Sequence, residues 1–201
     1  VVSTEEAFRI PLNPVNNDTA TDTALGTVGV ALNGIPVYNP FEDPNETAAY
    51  GRIFSGCCGH PQINGVYHYH KYPTCLRLIK DDWKSEKDKC DELDALLVAN
   101  GHSPLIGFAA DGWPIYGPVG WRNADNKTGV LLVSGYTGTN DSAGNPAYVA
   151  GSGDLDECNG LVSPTPEFPE GIYHYVMSIE ADPDGTVLRY LNPHFGYDVR
   201  N

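Results

Sequence analysis

Residues 65–73 read Gly-Val-Tyr-His-Tyr-His-Lys-Tyr-Pro, and residues 171–178 read Gly-Ile-Tyr-His-Tyr-Val-Met-Ser. The chain has only six histidines, so two at alternate positions between tyrosines are a concentrated feature. In a β-strand, residues i and i+2 point to the same side. His68 and His70 therefore share one face and Tyr67 and Tyr69 the other, with the histidine Cα atoms about 6–7 Å apart. Two imidazoles at that spacing can reach one metal ion. His174, on the second strand, supplies a third, and His60, in Cys-Cys-Gly-His-Pro just upstream, can fold over the same face as a fourth. A histidine-rich site with an open position suits copper or zinc, copper slightly ahead. The competing reading is packing: tyrosine and histidine form good strand ladders without any ion. His102 and His194 each sit beside a proline and read as structural hydrogen-bonders.

The carboxylates form a second constellation. Asp111 lies at an Asp-Gly step between two apolar runs, and Asp154, Asp156 and Glu157 gather ahead of Cys158. Such groups can orient ligating histidines or bind a secondary cation such as calcium. They can equally well build turns. Asp111, Asp156, Glu157 and His102 are therefore candidates for an outer shell or a secondary cation position. No G-x-S-x-G, P-loop, G-x-G-x-x-G or H-E-x-x-H motif is present, and no serine is singled out as a nucleophile.

The elements that must position these residues read as mainly β. The expected fold is a compact antiparallel β domain, β-rich α+β in class, with many loops and about one helix near 85–100. Residues 26–40 are rich in β-branched side chains around Asn33-Gly34, a hairpin signal. Residues 105–118 are apolar on both sides of Asp111-Gly112 and predict two buried strands joined by a tight turn. Residues 129–136 and 171–181 read as further strands, and Asp182-Pro-Asp-Gly185 as a turn leading into a hairpin partner. The helix expected over 85–101 places Cys90, Leu93 and Leu97 on one stripe, with Ser85 as N-cap and Asn100-Gly101 as its stop. The two Tyr-His-Tyr strands imply either an internal duplication or two strands lining one site.

At 201 residues with 41 % hydrophobic content the chain can bury a real core. It reads as one domain over 1–201, with 1–25 a polar N-terminal extension. Twenty-six acidic against twelve basic residues give −14, which disfavours nucleic acid and anionic membranes and tolerates cations. No run of about 18 apolar residues is present, so membrane insertion is not expected. The chain opens Val-Val-Ser-Thr, which fits a mature form lacking its signal peptide or a trimmed chain. Cys57, Cys58, Cys75, Cys90 and Cys158 form no C-x-x-C pair and are disulfide candidates, the odd one free, bound, or paired between chains. Asn17, Asn45, Asn126 and Asn140 each begin an N-x-[ST] sequon in a polar stretch and are glycosylation candidates. Together these features favour a secreted, extracellular protein.

Read in order, CGHP, GVYHYH, HSPLIGFAADGWPIYGP, DLDECNG and GIYHYV resemble the YHYH-domain family of bacterial and eukaryotic proteins, over about residues 33–197. The resemblance implies secreted or periplasmic proteins with no settled activity. It assigns the name-giving histidines to His68 and His70, the Gly-His-Pro histidine to His60, and the further motif positions to His102, Asp111, Asp156, Glu157 and Cys158. The chain departs from the family in three ways: Val176 stands where the second Tyr-His-Tyr-His pattern would end, no cysteine follows His194-Phe-Gly196, and Cys58 and Cys90 are additions. The last two departures imply a rearranged disulfide set, with Cys58–Cys90 as a new bridge. Two functions remain in contention. One is an extracellular metal-binding protein, its ligands His60, His68, His70 and His174. The other is a structural or assembly module of an extracellular filament, surface layer or matrix, with the Tyr/His strands as core packing and self-association or an intermolecular disulfide as its partner chemistry. A metal-dependent enzyme is a third, less supported option.

Overall fold

The computed structural model describes residues 7–15, 23, 25–39, 41–43, 46–47, 54–73, 76, 101–125, 127–137, 147–181 and 188–189. The helix expected at 85–100, the turn 182–185, His194, Cys75, Cys90 and all four sequon asparagines lie outside them.

The structure is β-rich. Its main sheet has eight strands: β1 (Thr27–Ala31), β2 (Pro36–Tyr38), β3 (Gly59–Pro61), β4 (Tyr67–Tyr69), β5 (Leu105–Ala109), β6 (Pro114–Tyr116), β7 (Gly160–Ser163) and β8 (Ile172–Val176). They run in the order β7-β8-β6-β5-β1-β2-β4-β3. Both expected hairpins form. β1 and β2 close around Asn33-Gly34, and β5 and β6 around Asp111-Gly112, with both glycines at positive φ. The hairpin partner expected after residue 185 is also present, Leu188–Arg189 pairing with Glu180–Ala181. The sheet is mixed rather than wholly antiparallel: β2 runs parallel to β4, and β6 to β8. Parallel neighbours need a long crossover rather than a tight turn, and the segments between β2 and β4 and between β6 and β8 provide it.

The order has a further property. Exchanging β1–β4 for β5–β8 reproduces it, and the registers agree residue by residue. Thr27 faces Tyr38 and Gly29 faces Val37 across a bulge, as Leu105 faces Tyr116 and Gly107 faces Ile115 across a bulge. Val37 pairs with Tyr69 as Ile115 pairs with Tyr175. His60 pairs with His68 as Leu161 pairs with His174. The sequences VGVALNGIPVYNP (28–40) and IGFAADGWPIYGP (106–118) carry this repeat. Of the two sequence readings, duplication is the one this topology supports, and the two Tyr-His-Tyr strands stand near opposite ends of the sheet.

The halves meet at β1 and β5. Val30 pairs with its counterpart Phe108, flanked by Gly29–Ala109 and Ala31–Gly107. That register is the one a local two-fold requires. The glycines are needed there, because a Cβ on Gly107 would overlap the carbonyl oxygen of Val30, and one on Gly29 would stand 2.7 Å from that of Phe108. The core is likewise built from matching pairs: Val28 and Ile106, Val37 and Ile115, Tyr69 and Tyr175 are all buried in one cluster. The buried tyrosine hydroxyls are tied to the hairpin turns. Asn33 Nδ2 donates to Tyr69 Oη at 3.0 Å, and Tyr175 Oη donates to Asp111 Oδ2 at 2.6 Å.

Gly107→Ala is expected to destabilise the fold by about 3 kcal/mol, since two strands must part at the sheet centre. Gly151→Ala, where a Cβ meets nothing within 4 Å and only positive φ is at issue, is expected to lose about 1 kcal/mol. Urea unfolding of both variants checks the contrast, and equal losses would mean that the central contact is not tight.

Candidate metal centre

β3 and β4 are adjacent and antiparallel, so His60 and His68 are direct cross-strand partners. His70 lies two residues beyond His68, on the same face. The ligand atoms of the three rings lie within 4.8 Å of one another, and all three residues are buried. His68 and His70 are each 1 % exposed.

Backbone carbonyls fix the tautomers. His68 Nδ1 donates to Val66 O at 3.0 Å, and His70 Nδ1 donates to Asn39 O at 2.5 Å. A carbonyl can only accept, so each Nδ1 carries the hydrogen, and in the neutral ring each Nε2 holds a lone pair. Yet the two Nε2 atoms stand 2.9 Å apart. Two lone pairs at that distance repel. A proton or a metal ion between them would make the approach favourable. Anchoring Nδ1 on a carbonyl is also the usual way a ligating imidazole is oriented.

Aromatic rings wall the cluster. Tyr38 stacks on His68 at 4.0 Å between centroids and meets His70 edge-on at 5.8 Å, while Phe54 meets His60 edge-on at 5.2 Å. The Lys71 ammonium sits 4.3 Å above the Phe54 ring. A family model described as YHYH protein matches residues 7–184. The chain belongs to the YHYH family. No curated protein and no solved structure matches it.

In this YHYH chain the histidines divide into two groups. The expectation that His174 completes the site of His68 and His70 is corrected: His174 lies on β8 in the other half, opposite Leu161. Alternation shows which face a side chain takes, but not which strands are neighbours. His174 is accompanied by His102, their ring centroids 6.4 Å apart. The carboxylates do not join the histidine cluster. Asp111 accepts from the Trp113 amide at 3.2 Å and from Tyr175 Oη. Asp156 accepts from the amides of Cys158 and Gly160, each at 2.9 Å, and from Tyr173 Oη at 3.0 Å. Both carboxylates build turns. Glu157 is exposed, and its carbonyl accepts from Tyr136 Oη at 2.6 Å. Cys58 is disulfide-bonded, while Cys57 and Cys158 pack in or against the main core. Tyr38 and the Asn39 carbonyl were not among the sequence candidates. The signal that could have found them is the repeated Pro-apolar-Tyr-x-Pro of 36–40 and 114–118.

Burial pushes the His174 pKa down to about 4 from the ordinary 6.5, with His102 lowering it further, and burial also lowers His102. The folded His174 ring stays neutral while the unfolded one gains a proton below pH 6.5, so acid favours unfolding. Its contribution is whole above pH 6.5 and is lost toward pH 4, roughly 3 kcal/mol in all. The urea midpoint of chelator-treated protein is therefore expected to fall from pH 6.5 to 4.5, and less steeply in His174→Leu. An unchanged slope in the variant would remove His174 as the cause.

Proposed function

We propose that this YHYH protein is an extracellular metal-binding protein whose site is His60, His68 and His70, with copper ahead of zinc. The observation that carries the reading is the 2.9 Å approach of two Nε2 atoms whose Nδ1 partners are both committed to carbonyls. Nitrogens that far apart, each about 2.0–2.1 Å from one ion, subtend about 90° at it. That angle suits a tetragonal copper(II) site better than a tetrahedral zinc site. Three neutral imidazoles leave coordination positions open, which serves metal capture, or redox or hydrolytic chemistry on a bound small molecule. The extracellular part of the reading rests on the four sequons, the disulfide at Cys58 and the acidic composition. Among the described residues no helix is long and apolar enough to cross a membrane.

The test is metal-to-protein stoichiometry on natively purified protein, together with copper titration of wild type and His70→Ala. About one copper per chain is expected at the triad, and His70→Ala should weaken binding at least 100-fold while keeping the wild-type circular dichroism. A saturating metal at 100 times its Kd should also raise wild-type stability by about 2.7 kcal/mol and leave His70→Ala nearly unmoved. If wild type takes up no metal and His70→Ala is equally destabilised with and without it, the Tyr/His strands are core packing and the assembly-module reading replaces this one.

A further inference from the structure

The second half keeps one member of the triad and replaces two. His174 stands where His68 stands, and its Nδ1 donates to the carbonyl two residues back, Ile172 O, at 3.0 Å, as His68 does to Val66 O. Leu161 and Val176 occupy the positions of His60 and His70, and pack with Leu132 and Leu155 in a small separate core. His102 enters from the segment before β5. It meets Tyr116 edge-on at 5.2 Å, the relation that His70 has to Tyr38, and meets Trp121 edge-on at 5.0 Å. Its Nδ1 donates to Ser103 O at 2.7 Å. Both rings therefore present an Nε2 lone pair. Both Nε2 atoms are buried and have no hydrogen-bond partner among the described residues. His102 Nε2 lies 3.5 Å from where a Cβ on Gly120 would stand, beside Leu132, and Leu132 packs with the neighbours of His174. The two rings thus border the same small apolar cluster, their centroids 6.4 Å apart.

Leaving a buried acceptor unmade costs roughly 1–3 kcal/mol, and the Trp121 indole N–H, edge-on to His102, likewise has no partner among the described residues. The two Nε2 atoms are acceptors, so an occupant that satisfies them must bring positive charge or hydrogen-bond donors. The walls are Tyr116, Trp121, Leu161 and Val176. Glu167 accepts from Tyr116 Oη at 2.8 Å, and Tyr116 Oη is also within 3.0 Å of Thr165 Oγ1. Two neutral imidazoles in dry surroundings cannot complete the four ligands that zinc requires. Two imidazoles are the full ligand set of a singly charged d10 ion that accepts two soft ligands.

We infer that His102 and His174 form a second metal position, selective for a monovalent soft ion such as copper(I), in the half of the molecule opposite the triad. The inference does not depend on the triad being filled. The experiment is anaerobic copper(I) titration of the full chain against a chromophoric chelator, for wild type, His70→Gln, His174→Gln and His102→Gln. Besides any ion at the triad, wild type is expected to bind one copper(I) that survives His70→Gln, and the affinity at this position should fall at least 30-fold in His174→Gln and in His102→Gln. Loss with His70→Gln alone would leave the triad standing and overturn the second position. Loss with His174→Gln alone would overturn it too, because His102 would then not ligate. Long-range proton–nitrogen spectra of wild type keep the question decidable if a glutamine variant fails to fold. Copper(I) should move the Nε2 resonances of His102 and His174 together. Unmoved resonances would make this a buried-water pocket and overturn the inference.

Discussion

The pairing of β1 with β5 is the constraint on which the rest of the sheet depends. Each half has two outer strands, β4 and β3 or β8 and β7, that reach the centre only through the hairpin strand β2 or β6. The halves join because Gly29 and Gly107 let two backbones meet without intervening Cβ atoms, and the register they adopt puts Val30 opposite Phe108. Every pairing outward from there is duplicated. The core follows the same logic, because each half contributes a matching valine or isoleucine and a matching tyrosine to one cluster.

Duplication of backbone does not require duplication of chemistry. The carbonyls that hold His68 and His174 are placed by the same strand geometry, so both rings have the same tautomer and present the same lone pair. What differs is the company on the shared face. In one half the cross-strand and i+2 neighbours are histidines, and in the other they are Leu161 and Val176. The apolar pair packs with Leu132 and Leu155, the buried Val176 gaining about 1.5–3 kcal/mol from that burial, while the histidine pair brings two further imidazoles close to His68. The same strand positions therefore carry three histidines in one half and a single histidine flanked by two apolar residues in the other.

Much of this was legible in the sequence, for reasons that are local. Asn33-Gly34 and Asp111-Gly112 announce hairpins because a two-residue turn with positive φ is a local requirement. His68 and His70 share a face because alternation is local too. The triad was legible as far as His60, which lies close upstream of His68 and could fold onto it only through a hairpin. His174 was misplaced because neighbour relations in a mixed sheet are set by crossovers, and crossovers leave no periodic trace. Parallel pairing of β2 with β4 was invisible for the same reason. Residues 28–40 and 106–118 match at both glycines, the turn, both prolines and the tyrosine, and that match alone assigns the two Tyr-His-Tyr strands to separate halves.

Asp111 and Asp156 show why residue type alone misleads at a candidate site. Each sits in a motif that resembles a ligand loop, and each spends its oxygens on backbone amides and on a tyrosine hydroxyl of β8. The first-half counterparts are Asn33, which donates to Tyr69, and Ser55, whose hydroxyl is 2.5 Å from that of Tyr67. A carboxylate in one half and a neutral group in the other thus serve the same tyrosine. The conserved element is the hydrogen bond that orients the tyrosine, not the charge. The charge that an ion would need on these turns is absent from half of the equivalent positions, and the acidity of the chain has to be understood as a property of its surface. The histidines are the reverse case. Their identity, not merely their hydrogen-bonding capacity, changes between halves, and each change alters the number of lone pairs that meet at one point. The halves therefore differ in how many imidazoles gather at three strand positions, 60, 68 and 70 against 161, 174 and 176, with the shared backbone left intact.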